Sequence, residues 1–263
     1  MALRLSSGLR NFLNEGGSLK HAFAGGKLLL YSGAQPTLAN DAVQGTLLCT
    51  YTASSGAHTV EVSAKGTLTL DTGASGSVDT FTVNSIEIMG SSTAFDTSLT
   101  QTAANIVTKV NDNPKNKLFK ASSSGAVITL TAKPGLGTLP NGWVVAATYT
   151  TITGTAANMG SGGAAVAGVN QVNGLLFGDS AAGALVKLPT QTWSGVAGAS
   201  GTAGWFRLVG SVVDAGSADS SEVFHRLDGN VATSGANLNL SSTTITSAAT
   251  QTISTFTITE PAA

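Results

Sequence analysis

Charge is the scarcest ingredient of this chain. Only 10% of its 263 residues are Asp, Glu, Lys or Arg, against roughly 25% in an average soluble protein. The 13 basic and 14 acidic side chains leave a formal net charge of -1, so no basic field exists to hold nucleic acid. A surface this poor in charge keeps a free monomer badly soluble, and it suits a protein whose faces are covered by copies or neighbours. Cysteine is nearly missing as well. Cys49, in GTLLCTYT, stands alone, which excludes an intramolecular disulfide. Its apolar, strand-like setting predicts a small buried core residue and not a reactive thiol. Long apolar runs are also lacking: no window reaches the roughly 18 residues of a membrane span. The opening MALRLSSGLRNFLNEGG carries Arg4 and Arg10 without a continuous apolar stretch, which is not the pattern of a secretory signal. The expectation is a chain made and assembled in a cytoplasm.

What is abundant is Gly, at 32 residues, together with Ser and Thr, a composition that favours many short strands with tight turns. Leu5, Leu9, Phe12 and Leu13 recur at helical spacing until Gly16-Gly17 stops the pattern. Ser18 can cap a second short turn, LKHAFAGG. KLLLYSG and TLLCTYT read as buried strands on either side of a loop opened by Gln35-Pro36. AHTVEVSAKGTLTLDTG and SVDTFTVNSIEIMGS then alternate apolar and polar residues like half-exposed strands. In DTSLTQTAANIVTKVND, Leu99, Ala103, Ile106, Val107 and Val110 share one helical face, with Thr97 or Ser98 as cap. LFKASSSGAVITLTAK predicts a hairpin turning at Ser124-Gly125. After the Gly/Ala-rich MGSGGAAVAGVNQV, strand signals resume at GLLFG, ALVKLP, GWFRLVGSVV, EVFHRLDGNV, ANLNLSS and QTISTFTITEP, separated by turns as in a sandwich or jelly roll. The predicted class is mainly β: a discontinuous β-sandwich or jelly-roll-like framework with an inserted small α+β domain and a short N-terminal helix. Its parts are residues 1–53 with 173–263 as framework, 54–158 as insert and 159–172 as connector.

GTAGWFRLVG concentrates bulk in a chain otherwise short of it. Strand alternation sends Phe206 and Leu208 to one face and Trp205, Arg207 and Val209 to the other. Phe206 and Leu208 are the natural core pair. Trp205 and Arg207 can stack and, being residue types enriched at hot spots, can form an assembly contact; the alternative is that Trp205 caps the sandwich while Arg207 pairs with Asp214 or Asp228. Chemistry is hard to find elsewhere. His21, His58 and His225 fall on different elements, none with a second ligand at metal spacing. GASGS, at 73–77, fails the nucleophile-elbow pattern and sits in an expected hairpin turn. GLGTLP has Pro140 where a phosphate-binding loop needs its third glycine. Asp214, Asp219, Glu222 and Asp228 lack EF-hand spacing and read as solvated turn residues. No enzyme, metal or cofactor is expected.

Two blocks carry a resemblance. LRLSSGLRNFLNEGGSLKHAFAGGKLLLYSGAQPTLANDAVQGTLLCTYT resembles the start, and TWSGVAGASGTAGWFRLVG with HRLDGNVATSGANLNLSSTTITSAATQTISTFTITEPA the end, of a family of small virion structural proteins of tailed bacteriophages. Between them, GTLTL, DTFTVNSIEI, TAANIVTKVND and SGAVITLTAK resemble an add-on module of phage surface and tail proteins. The resemblance implies a non-enzymatic virion protein, first of all a capsid decoration or cement protein, assembled in the host bacterial cytoplasm. Its partners would be the major capsid protein or other virion proteins and its own copies, as a homo-oligomer. Nucleic acid, membrane and small-molecule ligands are not expected. The candidate contacts are Leu5, Leu9 and Phe12 at the N-terminus and the Trp205/Arg207 face. The alternatives are a tail component (tube, nozzle, baseplate or fibre attachment) and a carbohydrate-binding module stacking a sugar on Trp143, Trp193 or Trp205.

Overall fold

Serines start the helices. In the computed structural model, which describes residues 3–161 and 165–259, the hydroxyls of Ser6, Ser18 and Ser98 accept the N–H groups of Leu9, His21 and Gln101. Each satisfies a first-turn amide that a helix cannot pair internally. The helices they open are α1 (Ser7–Asn14), α2 (Leu19–Phe23) and α3 (Leu99–Asp112). The strands are β1 (Arg4–Leu5), β2 (Lys27–Ser32), β3 (Leu47–Ala53), β4 (Lys65–Thr72), β5 (Ser77–Val83), β6 (Ile86–Glu87), β7 (Thr93–Ala94), β8 (Phe119–Ser124), β9 (Val127–Ala132), β10 (Val145–Thr150) and β11 (Thr153–Ala157). Then follow β12 (Ala184–Val186), β13 (Trp193–Val196), β14 (Gly201–Val209), β15 (Arg226–Ala232), β16 (Leu238–Asn239), β17 (Thr244–Ile245), β18 (Thr250–Ile253) and β19 (Thr257–Thr259). The fold is mainly β and sandwich-like, built of several antiparallel sheets.

The chain divides into two compact units, Met1–Val60 with Gln171–Ala263, and Glu61–Asn170. In the first, a sheet of nine strands runs β1-β15-β14-β2-β3-β13-β18, with β16 beside β15 and β17 beside β14. Strands β2 and β3 lie between β14 and β13, so the sheet is continuous only when both stretches of this unit contribute. Alternation along β2 and β14 sorts the side chains. Leu28, Leu30, Phe206 and Leu208 join Leu9, Phe23, Trp193 and Leu227 in one apolar core. Cys49 is buried in the same cluster, where burial raises its thiol pKa to about 11. Leu29, Tyr31, Trp205 and Val209 line the opposite face, with Val43 packed against them. Burying each Leu or Phe contributes about 1.5–3 kcal/mol, so both faces of β14 hold the unit together.

The second unit folds a long ribbon over itself. Strand β4 pairs with β11 in the sheet β11-β4-β9-β8, and β5 pairs with β10 in the sheet β10-β5-β6, with β7 also on β5. The links at 73–76 and 151–152 therefore turn from one sheet to the other. Gly76 makes this bend possible: its φ is +94°, and a Cβ there would lie 1.9 Å from the Thr150 carbonyl oxygen, so only glycine fits. On both sides of the corner the register steps past an aspartate, Asp71 in β4 and Asp79 in β5. Asp71 accepts the Thr155 hydroxyl at 2.6 Å and Asp79 the Thr150 hydroxyl at 2.8 Å. Helix α3 buries Ala103, Ile106 and Val110 with Phe81, Leu68, Ile128 and Leu130.

Several expectations shift by identifiable causes. The GASGS stretch joins two sheets and is not a hairpin turn. The β8–β9 turn centres on Gly125-Ala126, one residue later than expected, where Gly125 takes a φ of +59°. The strand expected from Ala57 begins only at Lys65, and GLLFG forms isolated bridges from Leu175 to Gly26 and from Phe177 to Lys187. The 159–172 segment is no free connector in its described part. Val166 and Val169 bridge Lys65 and Val62 in the second unit, and Val172 bridges Thr59 in the first; residues 162–164 of the segment lie outside the described residues.

Candidate functional site

The outer face of β14 and β15 carries the densest chemistry among the described residues. Register places Arg207 opposite Asp228 on one side and Leu29 on the other, while Asp228 also faces Arg4 of β1. Reading across the strands, the row is Arg4, Asp228, Arg207, Leu29: alternating charge in the cross-strand arrangement that stabilises sheets. Arg207 donates through Nε and one Nη to the two carboxylate oxygens of Asp228, both at 2.7 Å, and both side chains are fully buried. Such a two-pronged pair fixes orientation as well as charge. Two residues along β15, Arg226 grips Asp214 in the same way at 2.7 and 2.6 Å.

The remaining guanidinium hydrogens reach into two long loops. Arg207 donates to the Asp41 carbonyl at 3.1 Å, Arg226 to that of Ser217 at 2.8 Å, and Arg4 to that of Pro36. The loops are laced to one another: Asn40 donates from its side chain to the Asp219 carbonyl, Asp219 donates its N–H to the Asn40 carbonyl, and Val43 donates to Gly216. The Asn40 side chain also accepts the N–H of Ser7 at the start of α1. Segments 33–46 and 210–225 are thereby clamped over the sheet, and this cover is what closes the face. Trp205 is sealed beneath them, its ring stacked on Tyr31 at 4.5 Å and 13° and its Nε1–H donated to the Gln44 carbonyl.

Electrostatics describe a clamp and not a reaction centre. Burial raises the Asp228 carboxyl above the ordinary range, while Arg207, then Arg226 and Arg4, pull it down. Asp219 is also pushed up by burial, yet the amides of Phe224 and Val223 and the Ser221 hydroxyl outweigh this and hold it below the usual carboxylate value. The Asp228 and Asp214 oxygens are engaged by guanidinium groups, with the Gly216 N–H as a further donor to Asp214. Neither carboxylate is placed to act as a base or to ligate an ion. Among the described residues no group of three His, Cys, Asp or Glu side chains is arranged to hold a metal, and no helix is long and apolar enough to cross a membrane.

The candidate contact residues therefore need correction. Leu9, Trp205 and Arg207 are all fully buried within the chain. Leu5 and Phe12 are half-buried and pack on the core of their own unit. The Trp205/Arg207 face meets the chain's own loops, because alternation tells which side chains share a face but not what covers it. The expected solvated aspartates are likewise interior: Asp214, Asp219 and Asp228 are held in the clamp, and Glu222 alone of the four is exposed. Arg226 was not singled out by sequence reasoning; its signal is its position two residues before Asp228, on the same strand face as Arg207. No family model and no curated protein matches the chain.

The other sequence candidates resolve in the same structural sense. The amides of Gly135 and Gly137 in GLGTLP donate to the Glu61 carboxylate at 2.8–2.9 Å, so the chain's own anion occupies that loop. Trp193 is fully buried and Trp143 is half-buried, set edge-on to Phe119, so neither offers the flat exposed ring a sugar needs. A cleft of about 250 Å³ lies between α2 and β12, lined by Leu13, Leu19, Leu185 and Ile258, with Lys20 paired to Asp179 nearby. Its polar lining is Ser18, Lys20 and Ser180, of which Ser18 is engaged by the His21 N–H and Lys20 by Asp179.

Two histidines give the first unit a pH dependence. His225 packs on Phe12 at 4.6 Å, and His58 shares a hydrogen bond with the Gly25 carbonyl. Burial lowers both pKa values, with backbone hydrogen bonds to Ala22 and Gly25 offsetting part of the shift. A histidine whose folded pKa lies below its unfolded value of about 6.5 contributes its full stability above that pH, and loses it as pH falls towards the folded value. The urea midpoint of the first unit is expected to fall as the pH drops below about 6.5, and His58→Gln and His225→Gln each to flatten that slope.

Proposed function

We propose that this chain is a non-enzymatic virion structural protein of a tailed bacteriophage, a capsid decoration or cement protein acting through oligomeric contacts. The observation that carries the reading is where the charges sit. In a chain with so few, Arg207, Arg226, Asp214 and Asp228 are buried in a clamp that fixes two loops to a sheet, and these four side chains are engaged with one another. A chain this short of charge is suited to adhesion through shape and hydrogen bonds more than to long-range steering. The resemblance of both ends of the chain to virion proteins points the same way. The resemblance of the middle segment to tail modules favours the second reading, a tail component. The burial of Trp193 and Trp205 removes support from the sugar-binding reading.

The test is to image intact particles carrying labelled protein. Label spread over the head is expected; label confined to one vertex moves the protein to the tail, and particles without label end the virion reading.

A further inference from the structure

The nine-stranded sheet ends in an edge without protection. Sheet edges invite pairing with other chains, and proteins blunt them with charge, brevity or register shifts. Among the described residues the other edges carry such devices, and β16 and β17, beside β15 and β14, are two residues each. At the opposite end of the same sheet, β1 is two residues long and includes Arg4. In the second unit β8 bears an exposed Lys120, β10 and β11 pair through register shifts, and β6 and β7 are two residues each. Strands β12 and β19 have three residues each.

Strand β18 differs. It pairs with β13 from Trp193↔Ile253 to Val196↔Thr250, and the ladder ends just before β18 in a bulge, where Ala248, at a φ of +64°, donates to the Ala197 carbonyl while Ala197 donates to that of Ala249. Among the described residues no strand lies on its other side. Its sequence, TQTI, has no charge and no proline, and from Thr250 to Ile253 its pairing with β13 shows no register shift. Thr250 and Thr252 are exposed, and Val196, opposite Thr250 on β13, is 56% exposed beside them. The uncharged character extends well beyond the strand: no Asp, Glu, Lys, Arg or His occurs between Asp228 and Glu260.

We propose that β18 is the docking edge for a second copy of this chain, the two β18 strands pairing antiparallel across a twofold axis. The charge pattern selects that occupant. A twofold contact sets a segment against its own sequence, so any charge near the axis meets its like. A stretch free of charge on both sides of the edge removes that repulsion, whereas an oppositely charged partner would have nothing to recognise. Main-chain hydrogen bonds supply the attraction, as in strand addition generally, and Val196 adds apolar area next to them.

This inference deepens the reading of the chain as an assembling virion part, but its readout is the mass of the purified chain and needs no particle. Sedimentation across a concentration series is expected to show a dimer for the natural chain and a monomer for Thr250→Lys/Thr252→Lys, with unchanged circular dichroism and melting. Mixing that variant with Thr250→Glu/Thr252→Glu is expected to restore the dimer, because opposite charges then face each other, while Thr233→Lys, exposed but away from the edge, leaves it intact. A monomeric natural chain, or an oligomer indifferent to the lysine pair, overturns the proposal and leaves the virion reading to its own imaging test. A dimer in a protein that never enters particles separates the two in the other direction.

Discussion

Asp228→Ala is expected to lower the stability of the first unit by about 3–5 kcal/mol, the usual cost of stripping one partner from a buried ion pair. The substitution removes both carboxylate acceptors of Arg207, whose guanidinium stays sealed from water and keeps the Asp41 carbonyl as an acceptor. Arg4 and Arg226 are close enough to pull on the Asp228 carboxylate, so the deletion also leaves three cations without the anion between them. Arg207→Met alone strands the opposite charge and is expected to cost a similar amount. Arg207→Met/Asp228→Leu should be less destabilised than either single variant, since an apolar pair avoids the desolvation that already raises Asp228. Guanidinium unfolding of all four chains closes the double-mutant cycle. A double variant as damaged as the sum of the singles would mean that the clamp holds the loops by other bonds. If both singles are harmless, the ion pair contributes nothing to the fold.

That cycle also marks how far the sequence could be read. Periodicity was sufficient for the mainly β class, for α3 with its cap narrowed to Thr97 or Ser98, and for the division of β14 into Phe206/Leu208 and Trp205/Arg207 faces, because these depend on local geometry. The pairing of Arg207 with Asp228 was legible only as one of two choices, since Asp214 and Asp228 are equivalent in sequence and strand register separates them. Strands β10 and β11 went unseen. VAATYT and TGTAA mix Ala, Gly and Thr, residues that suit either side of a sheet, and their partners β5 and β4 lie 62–73 and 81–90 residues away. The closure of the Trp205 face was invisible for a related reason. It depends on two irregular loops whose Asn40, Val43, Gly216 and Asp219 bonds join positions about 175 residues apart, and no periodic signal encodes such a cover.

Trp205→Ala is the second large effect, expected at about 3–5 kcal/mol for truncating a buried tryptophan. The ring fills the space between β2 and the loops, stacks on Tyr31, lies 5.5 Å from the Arg207 guanidinium and donates to Gln44. Alanine removes all four interactions and leaves the clamp resting on a cavity. Trp205→Phe keeps an aromatic surface against Tyr31 and loses the Gln44 hydrogen bond, so most of the stability should return. Urea midpoints for the two variants, with Tyr31 fluorescence following the loss of the stack, provide the measurement. Equal damage from Phe and Ala would place the energy in the Gln44 bond and not in packing. The consequence reaches the assembly question directly: a Trp205→Ala chain that fails to enter particles would report a loosened framework, since the ring is fully buried within its own chain. Probes of incorporation belong at exposed positions such as Thr250 and Val196, where a substitution changes the surface without disturbing the clamp.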